Sequence, residues 1–91
     1  MELSWTRSAL DDLEQAGEFI AVDNPRAARA MAARVREAVE YLLAHPNLGR
    51  PGRFRGTREL VVSGTPFIIA YRIRYDLIQI LRVLHHARKW P

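Results

Sequence analysis

The stretch Phe67–His86, FIIAYRIRYDLIQILRVLHH, decides the fold. It is dense in β-branched, aliphatic and aromatic residues, and Asp76 divides it at a tight turn. Two strands are predicted, Phe67–Tyr75 and Leu77–His86. Both are apolar on both faces near their middles, as expected of central strands covered on two sides. Period two places Arg72 and Arg74 on one face and sends His85 and His86 to opposite faces. Immediately upstream, TRELVV (57–62) reads as a third strand and SGTP (63–66) as its turn, completing an antiparallel meander.

Further upstream, HPNLGRPGRFRG (45–56) is a loop by its Pro and Gly content. Before it lie two helical patterns. In SALDDLEQAGEFI, Leu10, Leu13, Ala16 or Gly17, and Ile20 recur at helical spacing. Ser8 is read as the N-cap, and Asp11 and Asp12 suit the positive end of the helix dipole. Asn24 and Pro25 stop this helix and start another, roughly 25–44, with Pro at the first helical position. The second apolar stripe is Ala27, Met31, Val35, Ala38 or Val39, and Leu42, and Ala28, Ala32 and Ala38 let a neighbouring helix approach closely. So short a connection folds the helices back as a hairpin. ELSWT (2–6) alternates as a short first strand, with Leu3 and Trp5 on one face. The expected fold is α+β, in the order β-α-α-β-β-β, with the helical hairpin on one face of a small, mainly antiparallel sheet.

A chain of 91 residues makes one domain, 1–91, and buries only about 60–65% of its unfolded surface. There is no cysteine, so disulfides and thiolate metal sites are excluded. The N-terminal MELSWTRSALDD lacks the basic and apolar regions of a signal peptide, and no apolar run approaches 18 residues. A cytoplasmic location without membrane contact is expected. The net charge of +4 is divided unevenly: residues 1–45 carry −3 and residues 46–91 carry +7. The basic half points to an anionic partner, against the plainer reading of a solvated surface. Arginine outnumbers lysine thirteen to one, which fits forked recognition of carboxylates or phosphates and equally a bias in base composition.

The ordered set GRPGRFRGTRELVV (49–62), FIIAYRI (67–73) and ILRVLHHARKWP (80–91) resembles the RelE/ParE superfamily of bacterial type II toxins, within it the ParE and plasmid-stabilisation branch. The resemblance spans almost the whole chain. It implies a toxin held silent by a cognate antitoxin, whose acidic, amphipathic C-terminal segment wraps the toxin and whose N-terminal part binds operator DNA. The toxin alone is then not expected to bind DNA directly. ParE-like relatives poison DNA gyrase, whereas RelE-like relatives cut mRNA on the ribosome. A third role is that of an inert member of a repressor complex. Where RelE-like toxins show lysines, this chain has Glu59 and Val61, and Ile68 stands where they carry an arginine. Scission of RNA needs a group that activates the 2′-hydroxyl, cations on the phosphate and an acid for the leaving oxygen. If the chain were a metal-independent nuclease, His86, His85, Arg72 and Arg82 would be its catalytic residues. The resemblance therefore favours gyrase as the target, reached by docking.

Arg53, Arg58, Arg72, Arg74 and Arg82 are the expected partners of antitoxin carboxylates. Arg88, Lys89 and Trp90 form a cation and aromatic tip suited to a protein target, and Trp90 equally suits folding back over the exposed sheet face. His45 is the third histidine, and no carboxylate pair offers ligand spacing beside it, so no metal and no cofactor are expected.

Overall fold

The computed structural model describes residues 1–85. His86, Arg88, Lys89 and Trp90 lie outside the described residues, and so do the functional expectations placed on them. The elements are β1 (Glu2–Trp5), α1 (Arg7–Asp23), α2 (Pro25–Ala44), β2 (Arg50–Pro51), β3 (Arg58–Val61), β4 (Phe67–Arg74) and β5 (Leu77–His85). The sheet order is β1-β5-β4-β3-β2, and among the described residues only β1 pairs in parallel, with β5. The two long strands are therefore central, as their apolar middles required. The expected order holds with one addition. Within the stretch read as loop, Arg50 and Pro51 pair with Glu59 and Arg58 as the short strand β2.

Asn24 alone joins the helices and serves both. Its N–H donates to Ile20 O at the end of α1, and its Oδ1 accepts from the Ala27 N–H at the start of α2. The expected N-cap at Ser8 is corrected: Thr6 caps α1, its hydroxyl accepting from the Ala9 N–H at 3.1 Å. The cause is tertiary. Thr6 is held by β5, its N–H donating to Ile80 O and its hydroxyl to Leu81 O, so the helix begins where the strand pairing ends. Asp11 and Asp12 consequently fall beyond the first turn of α1.

The apolar stripes are each rotated by a residue at their start. Ala9, Leu13, Ala16 and Ile20 of α1 face the core, whereas Leu10 is exposed. In α2, Ala28 is buried ahead of Met31, Val35, Val39 and Leu42, and Ala27 is half-buried. Against them pack Phe67, Ile69 and Tyr71 of β4 and Ile78, Ile80 and Val83 of β5. Leu3 and Trp5 of β1 close the same core from the edge. The step from Ile80 to Val83 breaks strict alternation because of a bulge. Ala70 lies opposite Arg82 but Tyr71 lies opposite Ile80, leaving Leu81 as the extra residue.

Asp12 fastens α1 at this bulge. Its carboxylate accepts from Arg82 Nε at 2.7 Å and Arg82 Nη2 at 2.9 Å, and from the Val83 N–H at 2.9 Å. The hydrogen bond from Arg82 raises the guanidinium pKa, and the nearby Asp12 charge adds to it against the opposing effect of burial.

Candidate functional site

The outer edge of β3 is only partly covered. The Val62 N–H donates inward to Phe67 O, and Thr57 O accepts from the Gly52 N–H on the outer side. By the alternation of an antiparallel ladder, the amide and carbonyl of Val61 then point outward. β2 reaches back only to Arg50, opposite Glu59. Continued in register, Gly49 and Leu48 would have lain opposite Leu60 and Val61, but the chain turns away there.

Tyr71 is the reason. Its ring is fully buried in the core, and its hydroxyl donates to Pro46 O at 2.8 Å and accepts from the Gly49 N–H at 2.9 Å. Arg58 Nη1 donates to Gly49 O at 2.7 Å and to Asn47 O at 3.3 Å. These bonds draw segment 46–49 off the sheet. Burial pushes the Tyr71 pKa up, opposed by the Gly49 hydrogen bond and the Arg58 charge. Gly49 has no room for a side chain, since a Cβ there would meet the Tyr71 ring and hydroxyl at 2.7 Å.

The result is a groove of about 550 Å³ between α2 and the edge of β3. Ala38, Tyr41, Leu48, Leu60 and Val61 give it an apolar lining, with Arg34 toward Ser63 and Arg50 toward Glu59. Tyr41, Leu48 and Val61 are 56%, 51% and 54% exposed, so three apolar side chains are left half-covered in one place. Arg34 Nη1 donates to Ser63 O at 3.0 Å, which occupies the next outward carbonyl of the edge. A strand-width opening with apolar walls and cations at its ends suits an extended peptide. Sequence reasoning missed Tyr41 and Leu48, because the groove depends on where residues 46–49 leave the sheet.

The five arginines expected to meet an antitoxin lie in different surroundings. Arg58 holds segment 46–49, and Arg82 is forked onto Asp12. Arg72 Nε donates to Gln79 Oε1 at 2.7 Å across the strand pair. Arg74 is exposed at the end of β4, on the same face as Arg72 as expected. Arg53 is exposed in the β2–β3 turn, where its N–H donates to Glu59 Oε2 at 3.0 Å. Glu59 is only 5% exposed, and Arg50 lies 3.7 Å from its other oxygen. This carboxylate organises the turn.

His85 lies opposite Phe67, edge-on to its ring with centroids 5.6 Å apart. Arg72 is five residues further along β4, about 16 Å away along the strand, and on the other face. Between them, β3 and β4 set Val61 against Ile68 and Glu59 against Ala70. The described residues thus do not bring a histidine and the Arg72–Arg74 pair to one phosphate-sized site. Among them, no helix is long and apolar enough to cross a membrane.

A helical hairpin on a five-stranded mixed sheet, with an open edge groove and a basic second half, is the α+β arrangement that the resemblance to RelE/ParE toxins implies. Residues 3–90 match the family described as "ParE toxin of type II toxin-antitoxin system, parDE", and the chain belongs to that family. It is 45% identical over 89 residues to a Sinorhizobium fredii protein named "Putative toxin Y4kP", covering 98% of this chain and 92% of that one. It is 37% identical over 87 residues to "Toxin RelE2" of Caulobacter vibrioides, covering 96% and 97%. A solved structure of the "Chromosomal ParDE TA system from P. aeruginosa" superposes with a TM-score of 0.85 at 33% identity, covering 93% of this chain and 95% of that one. The chain is therefore a type II toxin–antitoxin toxin of the ParE/RelE superfamily.

Proposed function

We propose that this toxin acts by binding and poisoning DNA gyrase, and that a cognate antitoxin silences it by laying an extended stretch along the open edge of β3. The observation that carries the first part is the Val61–Ile68 and Glu59–Ala70 quartet at the middle of the sheet. Apolar and acidic side chains occupy the place where phosphodiester scission calls for cations, and His85 stands at the far end of β4 from Arg72. Harm by docking needs no such cradle.

The antitoxin reading is supported by the groove itself. An added strand would satisfy Val61 and set alternate side chains against Tyr41, Leu48 and Leu60. Carboxylates beside the apolar anchors would reach Arg34 and Arg50 at the groove, and carboxylates elsewhere on the antitoxin would meet the exposed Arg53 and Arg74 and the half-buried Arg72. The antitoxin segment is thus acidic and amphipathic, and operator DNA is reached through the antitoxin.

Two assays test this. Purified toxin is expected to block supercoiling by purified gyrase, and primer extension on translated mRNA is expected to show no new ends. Codon-linked breaks on translating ribosomes, lost when Arg72 is replaced by alanine, would replace this reading with that of an mRNA endonuclease.

A further inference from the structure

The groove beside β3 is closed at both ends, and the closures limit what can lie in it. At one end Arg50 of β2 already occupies the position opposite Glu59. At the other the strand gives way to a turn. There the Val62 carbonyl accepts from the Thr65 N–H and hydroxyl, and Arg34 Nη1 takes Ser63 O. Leu60, Val61 and Val62 lie between these closures, about 10 Å of strand. The Val62 N–H is committed to Phe67 O, and alternation turns Leu60 inward likewise. Of the three, Val61 turns its N–H and carbonyl outward. An antiparallel partner satisfies both with a single residue, because directly opposed residues of a hydrogen-bonded pair exchange both bonds. A second copy of β3 does not fit. With the two Val61 residues opposed, the copy's Ser63 would fall opposite Glu59, where Arg50 stands.

The pleat then chooses the flanking side chains of such a partner. The residue opposite Val61 shares the outer face of Val61 and can be of any type. Its two neighbours lie opposite Leu60 and Val62 and point to the helix side, about 7 Å apart. Leu60 and Val62 pack on the core there. The neighbour opposite Leu60 meets Tyr41 and Leu48, both half-exposed and apolar. The neighbour opposite Val62 meets Arg34, whose place beside that strand end is set by its bond to Ser63 O. The guanidinium also lies against Gly64, where any Cβ would collide with it. A cation already held in position loses little freedom when it takes a carboxylate. Among the described residues Ser63 O is the one protein acceptor of Arg34, so most of its N–H donors are left for a partner. Glu37 also lines the groove, but helical spacing sets it about 60° round α2 from Arg34, toward solvent.

We infer that the antitoxin stretch in this groove runs antiparallel to β3 and reads acidic, any, apolar in that order. The acidic side chain sits on Arg34, and the apolar one, a large aliphatic or aromatic residue, sits among Tyr41, Leu48 and Leu60. This rests on the reading that an antitoxin segment occupies the β3 edge. It adds the direction of that segment, its length in the sheet, and Arg34 as the residue that selects among antitoxins.

The test pans phage displaying short random peptides on the immobilised full chain, as wild type, Arg34→Lys, Arg34→Glu and Val61→Lys. Wild type and Arg34→Lys are expected to enrich the acidic-any-apolar order at least tenfold over its reverse. Arg34→Glu should lose the acidic residue and enrich lysine or arginine in its place, and Val61→Lys should capture neither class. Arg34 is exposed, so the melting temperature of Arg34→Glu should stay near that of wild type. Should that variant fail to fold, Arg34→Gln, which removes only the charge, must still lose the acidic preference. Three outcomes overturn the inference: the reverse order, apolar peptides with no acidic residue, or the same acidic residue on Arg34→Glu. If Val61→Lys still abolishes capture in those cases, the groove keeps its occupant and only the motif falls. Equal capture by Val61→Lys, or no motif on wild type, overturns the inference and the groove reading together.

Discussion

Replacing Tyr71 by phenylalanine is the sharpest test of how the edge groove is made. The substitution keeps the buried ring and removes one oxygen. That oxygen donates to Pro46 O and accepts from the Gly49 N–H, at 2.8 and 2.9 Å. Each bond is worth about 0.5–1.5 kcal/mol net, and a buried donor left without an acceptor costs about 1–3 kcal/mol. Gly49 is buried, so its N–H bears the larger penalty, whereas Pro46 is only half-buried and its carbonyl can find water. The expected loss is about 2–3 kcal/mol. Domains of this size hold roughly 5–14 kcal/mol in all. At about 4–8 °C per kcal/mol, the melting temperature should fall by about 10–20 °C. Urea denaturation of both proteins measures the difference, and amide exchange at Gly49 localises it. A loss under about 0.5 kcal/mol, with Gly49 still protected, would refute the claim that this hydroxyl holds segment 46–49 off the sheet.

The same phenol sets a pH limit. Its pKa in the fold lies above the ordinary value of 10.0, so its stabilising effect is complete below pH 10 and is lost as pH rises through the folded value. Wild-type stability should fall over that alkaline range, and the Tyr71→Phe variant should fall less, as urea midpoints will record. Gly49→Ala forces a methyl group onto the Tyr71 ring at 2.7 Å and should cost about 1–3 kcal/mol, with a smaller cost when Tyr71→Phe is also present. Asp12→Ala removes the fork to Arg82 and the bond to the Val83 N–H, leaving that amide unpaired. About 2–3 kcal/mol of lost stability in thermal melts is expected, and Asp12→Asn, which keeps one acceptor for Val83, should lose less. Val61→Lys at the exposed edge should leave the melting temperature within a few degrees and weaken co-purification with the cognate antitoxin at least tenfold; undiminished co-purification would remove the antitoxin from this groove.

Local chemistry was legible wherever one short segment contained the whole cause. Asn24 and Pro25 end one helix and begin the next, and Phe67–Arg74 announces a central strand by its apolar run. Reading failed where a distant partner decided. Thr6 outcompetes Ser8 as a cap because β5 holds it, and Asp12 serves a bulge seventy positions away in sequence. The phase of β5 shifts at Leu81, which no periodicity count within β5 reveals. At the site, the shared face of Arg72 and Arg74 followed from period two. The internal duties of Arg58 and Arg82, and the groove between Tyr41, Leu48 and Val61, depend on contacts that only the folded chain creates.

The parallel pairing of β1 with β5 has a consequence for the order of events during synthesis. Among the described residues β1 is an edge strand whose only ladder is to β5, and the Thr6 hydroxyl bonds a carbonyl 75 positions downstream. A nascent chain can coil its two helices early, since that pairing is local, but its first strand has nowhere to dock until residues 77–80 emerge. The sheet closes late and in one step, drawing in the opening residues as it does so. Prematurely terminated translation products lacking β5 would forfeit both strands together, leaving a fragment for proteolysis rather than a partial poison.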